Sequence, residues 1–105
     1  PNRQLEAILF ESSLLERVQN AIERSPRGNL LLLSPAVTQD IREQVRRILG
    51  SAATRVVAIA SSDVRRYIKT LIEPVAPLLP VLSYQEVDED VALQPVGWVT
   101  NPQAH

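Results

Sequence analysis

Apolar residues in this chain switch repeatedly between two spacings, and that switching restricts the fold more than any other feature. Leu5, Ala7 and Leu9 alternate with Glu6, Ile8 and Phe10 and predict a first strand. Leu14, Val18, Ala21 and Ile22 then recur at helical spacing, with Ser13 and Glu16 in the positions of a capping box. Ser25 to Asn29 reads as a loop. The run Leu30 to Leu33 predicts a strand covered on both faces. Ser34 is the expected N-cap and Pro35 the first residue of a second helix, whose inner face is Ile41, Val45, Ile48 and Leu49 and whose end is Gly50. Val56 to Ala60 predicts another buried strand. Ser61, Ser62 and Asp63 offer cap chemistry to a third helix with Val64, Ile68, Leu71 and Ile72 on one face.

Pro74, Pro77 and Pro80 stop that helix and keep the connector extended. Val81 to Tyr84 is a short strand, and Glu86 to Asp90 an acidic turn. Val91, Leu93 and Val99 mark a last segment that Pro95 and Gly97 reduce to an edge or irregular strand. The order is βαβαβα followed by two strands. It predicts an α/β fold: a single small domain over residues 1–105, with a mostly parallel or mixed sheet flanked by helices in two or three layers. The last two strands are expected to add an antiparallel edge, and residues 100–105 to form a frayed tail.

Composition excludes several chemistries. The chain has no Cys and no Met, and its one His is His105. Thiol catalysis, a disulfide scaffold, a Cys/His metal site and a Ser–His dyad inside the fold are therefore out of reach. No apolar run approaches the ~20 residues of a membrane span. The chain starts at Pro1, as expected for a piece of a longer protein. Net charge is −1, yet all 11 cations lie in residues 1–69, while residues 70–105 hold five acids and no cation. Nucleic-acid binding would call for a basic excess with interleaved aromatics, so no nucleic-acid partner is expected. A split surface suits protein partners.

No cofactor, metal or catalytic residue is expected. A nucleotide site at the strand ends would need glycines that these turns lack. Ser61 and Ser62 read as capping residues rather than an anion cradle. Glu86, Asp88, Glu89 and Asp90 crowd together without the regular offsets or the Gly of a calcium loop. A phosphorelay receiver would need an Asp at the end of the strand that starts at Val56, and Asp63 lies beyond it. Arg42, Arg46 and Arg47 form a solvated face of the second helix, partly paired with Glu43. Trp98 is expected to pack at the core or sheet edge.

One stretch is more specific. Ser61-Ser62-Asp63-Val64-Arg65-Arg66-Tyr67-Ile68 leads to Leu71-Ile72-Glu73-Pro74, then to Leu79-Pro80-Val81-Leu82-Ser83-Tyr84-Gln85-Glu86-Val87 and Leu93-Gln94-Pro95-Val96-Gly97-Trp98-Val99. With the earlier Leu31 to Pro35 turn, this resembles the C-terminal end of the FlhA/LcrD family of type III secretion export-gate proteins, over about residues 4–99. The Arg-rich, Tyr-Gln-Glu form is nearer the virulence than the flagellar members.

The resemblance implies a fourth and last cytoplasmic subdomain of a larger bacterial inner-membrane protein. Its cytoplasmic region would form a nonameric ring that receives chaperone–substrate or gatekeeper complexes and contacts the stalk of the export ATPase. The implied role is docking and gating without catalysis. The partners would be neighbouring subunits of the ring, the stalk protein and those complexes. The isolated fragment, lacking the ring-forming subdomain, is expected to be monomeric. A small cofactor-independent α/β enzyme or anion-binding domain is the alternative. Arg65, Arg66 and Lys69, with Glu86, Asp88, Glu89 and Asp90, are the expected protein-contact residues, exposed on the third helix and the acidic turn.

Overall fold

In the computed structural model, which describes residues 3–51 and 55–102, the first strand lies inside the sheet. β1 (Arg3–Phe10) pairs in parallel with β4 (Val56–Ala60) on one side and β6 (Val91–Val99) on the other. β5 (Val81–Ser83) adds in parallel to the far side of β4, giving the order β5-β4-β1-β6. Ala7 to Phe10 and Ala58 to Ala60 are buried on both faces, so these inner strands read as near-continuous apolar runs.

Strand order dictates what covers each face. The steps from β1 to β4 and from β4 to β5 travel the same way across the sheet. Right-handed crossovers therefore put both connections on one face. There α1 (Ser12–Asn20), α2 (Pro35–Ser51) and α3 (Arg65–Ile72) bury Leu14, Val18, Ile41, Val45, Ile68 and Ile72 against Ile8, Phe10, Ala58 and Ala60. The step from β5 to β6 runs back the other way, and the same rule sends it over the opposite face. Val87 from that connection packs with Ala7, Leu9, Ile59, Leu82 and Leu93. The domain has two layers, with the acidic segment crossing the bare side of the sheet.

The α/β class with a mostly parallel sheet is as expected, and several details differ. Leu30 to Leu33 is not a central strand. Part of it forms β3 (Gly28–Leu31), paired antiparallel with β2 (Ile22–Ser25) in a separate hairpin, and Leu30 is 59% exposed. Gly28 sits at φ 121, where a side chain would be strained, and closes that turn. Ile22 thus leaves the first helix for the hairpin. The β6 strand is a parallel edge rather than an antiparallel one, because it returns to β1 instead of pairing with β5. Its irregularity is a shift in register, with Ala7 opposite Pro95 and Ile8 opposite Gly97. At Gly97 an added Cβ would lie 2.8 Å from the Ile48 side chain, so the bulge lets α2 approach the sheet closely.

The caps divide in the same way. Ser34 Oγ accepts from the Val37 amide at 3.3 Å, as the Ser-Pro signal predicts. The Ser13–Glu16 box does not form. Helix α1 starts two residues earlier, at Ser12, and the Glu11 carbonyl receives the Leu14 and Leu15 amides. At α3, Ser61 contributes its backbone carbonyl to the Val64 amide, and no side chain caps the helix. Residues 100–102 of the expected frayed tail are instead held by hydrogen bonds. Gln44 exchanges hydrogen bonds with Thr100, and the Arg17 guanidinium donates to Asn101 and to the Pro102 carbonyl. Residues 103–105 of that tail lie outside the described residues.

Candidate functional site

The seven expected contact residues do not form one surface. Arg65 flanks β5 because its neighbours Val64 and Ile68 point into the core. Its guanidinium donates to the Val81 carbonyl at 3.2 Å and lies 3.4 Å from a Glu86 carboxylate oxygen. Lys69 Nζ donates to the Pro77 and Leu79 carbonyls, each at 3.1 Å, and pairs with Glu73 at 3.6 Å. These two cations fasten α3 to β5 and to the proline connector. Being half-buried, they are less available to a partner than the sequence suggested.

Glu86, although exposed, is also tethered by the chain itself. Ser83 and Glu86 form a capping box around a short 3-10 turn, Tyr84–Glu86. The Glu86 carboxylate accepts from the Ser83 amide at 2.9 Å and from its hydroxyl at 3.1 Å. The Ser83 amide first, then its hydroxyl, then Arg65, hold the Glu86 carboxyl below its usual range. Asp88 and Asp90 reach only the rim of the Arg3 guanidinium, at 3.9 and 3.8 Å. Such exposed pairs contribute little to stability. Asp88, Glu89 and Asp90 are the outward-facing part of the acidic segment.

Arg66 belongs to a different place. It turns away from β5, stacks over the Tyr67 ring at 5.0 Å and donates to the Tyr67 hydroxyl at 3.0 Å. The Arg66 guanidinium, then the Asn29 amide, lower the Tyr67 phenol pKa, with a smaller contribution from Arg24. Around this pair the hairpin and helices α2 and α3 enclose an open groove of about 690 Å³, lined in part by Leu30, Leu33, Arg42 and Leu71. Arg42 Nε donates to the Leu71 carbonyl at 2.7 Å, tying α2 to α3. Its neighbour Arg46 pairs with Glu43 at 2.7 Å, as expected.

Sequence reasoning missed this groove because it placed Leu30 to Leu33 in the core. The available signal was the turn-rich segment from Ser25 to Asn29. It leaves room for a tight hairpin turn just before the run, and a hairpin strand hides at most one face. A second hollow, about 610 Å³ and mostly apolar, lies at the amino ends of β1 and β4 beneath the proline connector. Leu78 stands there 92% exposed. Trp98 is half-exposed on the β6 edge, consistent with edge packing. Among the described residues, no three acidic or imidazole side chains converge into a group that could hold a metal ion.

Comparison with known proteins places this geometry. The FHIPEP family model matches residues 1–92. Low calcium response locus protein D of Yersinia pestis is 39% identical over 99 residues, which is 91% of this chain and 14% of that protein. Nonameric SctV-C from EPEC superposes with a TM-score of 0.84 at 31% identity, over 92% of this chain and 29% of the other. The nonameric EscV cytosolic domain from the type III secretion system gives a TM-score of 0.68 at 32% identity, over 90% of this chain and 28% of the other. The Chlamydia pneumoniae CdsV and CdsO complex gives 0.78 at 31% identity, over 90% and 28%. The chain thus spans about a seventh of the curated relative's length.

Proposed function

The chain belongs to the FHIPEP family, and from that premise we propose that it is the last cytoplasmic subdomain of a bacterial type III secretion export gate, acting in docking and gating without catalysis. The observation that carries this reading is its likeness, over nearly its whole length, to one part of a nonameric cytosolic ring protein. In the full protein this subdomain sits on the cytoplasmic side of the inner membrane. Among the described residues, no helix is long and apolar enough to cross a membrane.

A closed ring of identical copies needs two unlike, complementary edges on each copy. Exposed charge of opposite sign stands at two separate places on this subdomain, Arg66 beside the hairpin and Asp88, Glu89 and Asp90 in the acidic segment. Arg66, Asp88, Glu89 and Asp90 are the exposed charges through which a neighbouring subunit, the export ATPase stalk or a chaperone–substrate or gatekeeper complex is steered into place. Arg65, Lys69 and Glu86 contribute by holding α3, β5 and the acidic segment in register. The complex of a related protein with CdsO supports binding of a second protein by such a domain. The alternative anion-binding reading gains nothing from the start of α3, where Ser61 offers a carbonyl oxygen.

The test is a chimera in which residues 3–99 replace the matching terminal segment of an LcrD-type gate in a secreting strain. Export is expected to continue. Combined charge reversal at Arg66, Asp88, Glu89 and Asp90 should reduce export and weaken binding of the stalk protein in a salt-dependent way. A chimera that assembles into rings yet exports nothing would count against the reading. So would a stable nonamer formed by the 105-residue chain alone in light scattering, since the subdomain is proposed to be monomeric without its neighbours.

A further inference from the structure

We propose that the groove between the β2–β3 hairpin and the α2–α3 pair docks an acidic, leucine-bearing segment of a partner protein. The groove has a volume of about 690 Å³, a size that takes several side chains. Its walls combine two unlike materials. Leu30, 59% exposed, and the half-buried Leu31 and Leu33 supply apolar surface from the hairpin side. Arg42 and Arg66 supply positive charge from the helices. Arg24 adds a third cation from the hairpin, beside Arg66 and Tyr67 in the adjoining hollow.

These cations are not matched internally. Among the described residues, no carboxylate lies within ion-pair distance of Arg24, Arg42 or Arg66. Asp63 borders the adjoining hollow and Glu23 sits on the hairpin, and neither closes such a pair. By contrast, Arg3, Arg46, Arg65 and Lys69 each have an acidic partner, while other cations unpaired among the described residues, such as Arg27 and Arg47, do not line this groove. Arg42 uses its Nε on the Leu71 carbonyl, and among the described residues its two terminal nitrogens make no hydrogen bond. The Tyr67 hydroxyl accepts from Arg66, which leaves its own proton for an acceptor. Hydrogen bonds from Arg66 and then Asn29 lower the Tyr67 pKa, in keeping with a wall rich in donors.

A segment that fits these walls carries carboxylates for the guanidinium groups and small aliphatic side chains for the leucines. A polyanion such as nucleic acid would satisfy the charges and leave Leu30 facing phosphate, so a protein segment is favoured. The inference is independent of ring assembly, because a single copy holds the whole groove.

Fluorescence anisotropy on the 105-residue chain tests it with three labelled probes: a peptide of Glu and Leu repeats, its counterpart with Lys in place of Glu, and an oligothymidylate of matching charge. The acidic peptide should bind at least about tenfold more tightly than either other probe, with affinity falling as salt rises. Arg66→Glu should weaken it by roughly tenfold, and Leu30→Ser severalfold, with melting temperatures close to the parent because both sites are exposed. Equal binding of the two peptides would overturn the proposal. So would an oligonucleotide that binds as well as the acidic peptide, or binding that survives both substitutions. Absence of binding at low salt would also overturn it.

Discussion

On the helix side of the sheet, Ile8, Phe10, Ala58 and Ala60 meet residues from all three helices, and the layer is closed. On the other side, Ala7, Leu9 and Ile59 are covered by their neighbours in the sheet and by one residue of an irregular connection, Val87. The same strands thus present one face whose cover is periodic and one whose cover is a single crossing strap. The periodic side can be read from spacing, because a helix must repeat its apolar residues to bury them. The strapped side follows from topology: a parallel strand order requires the chain to come back, and handedness chooses the face.

The largest test of that contrast is a pair of truncations. Ile68→Ala, at a fully buried site in α3, should cost about 2–5 kcal/mol in urea unfolding. Val87→Ala, half-buried in the strap, should cost about 1 kcal/mol. Equal losses would mean that the two faces are sealed alike. Next comes the place where a helix presses on the edge strand. Gly97→Ala would bring a Cβ to 2.8 Å from Ile48, and about 1–3 kcal/mol of overpacking is expected. Adding Ile48→Val should recover part of that loss, whereas no recovery would locate the strain elsewhere in the bulge.

A smaller effect separates the two arginines that are adjacent in sequence. Arg65→Gln removes a donor to the Val81 carbonyl and the Glu86 contact, and should cost about 1 kcal/mol. Arg66→Gln should stay within about 0.5 kcal/mol by thermal melting. The reverse order would exchange their structural and surface roles. Least in size is the pH response of the strap. The Glu86 carboxyl is held below its usual range by Ser83 and Arg65, so it stabilises the fold fully above the ordinary carboxylate value of about 4.3. That contribution is lost as pH falls through the lower folded value. The melting-temperature difference between the parent chain and Glu86→Gln should shrink across that acidic window, and a difference independent of pH would rule out the carboxylate as the cause.

Much of the helix side is legible in the amino-acid sequence. Val56 to Ala60, the Ser34–Pro35 helix start and the Val64, Ile68, Leu71, Ile72 face appear where their spacing places them, because burial enforces each pattern locally. Leu30 to Leu33 misleads, since four apolar residues in a row satisfy a buried strand and a partly exposed hairpin equally well. The charged residues are hardest to place. Arg65, Arg66 and Lys69 are chemically alike and close in sequence, yet only the backbone carbonyls that happen to lie nearby decide which of them is tethered. The seven expected contact residues therefore divide into anchors and outward charges, a distinction carried by tertiary geometry alone.

The central position of β1 has a consequence for synthesis of the chain. It leaves the ribosome before β4 and well before β6, yet it needs both as partners. The clasp between Glu11 and Asn101 joins residues 90 apart and forms only when the final segment has arrived. Until β4 arrives both edges of this apolar strand are unpaired, and until β6 arrives one still is, a setting that favours slow folding and capture by chaperones or by other nascent chains.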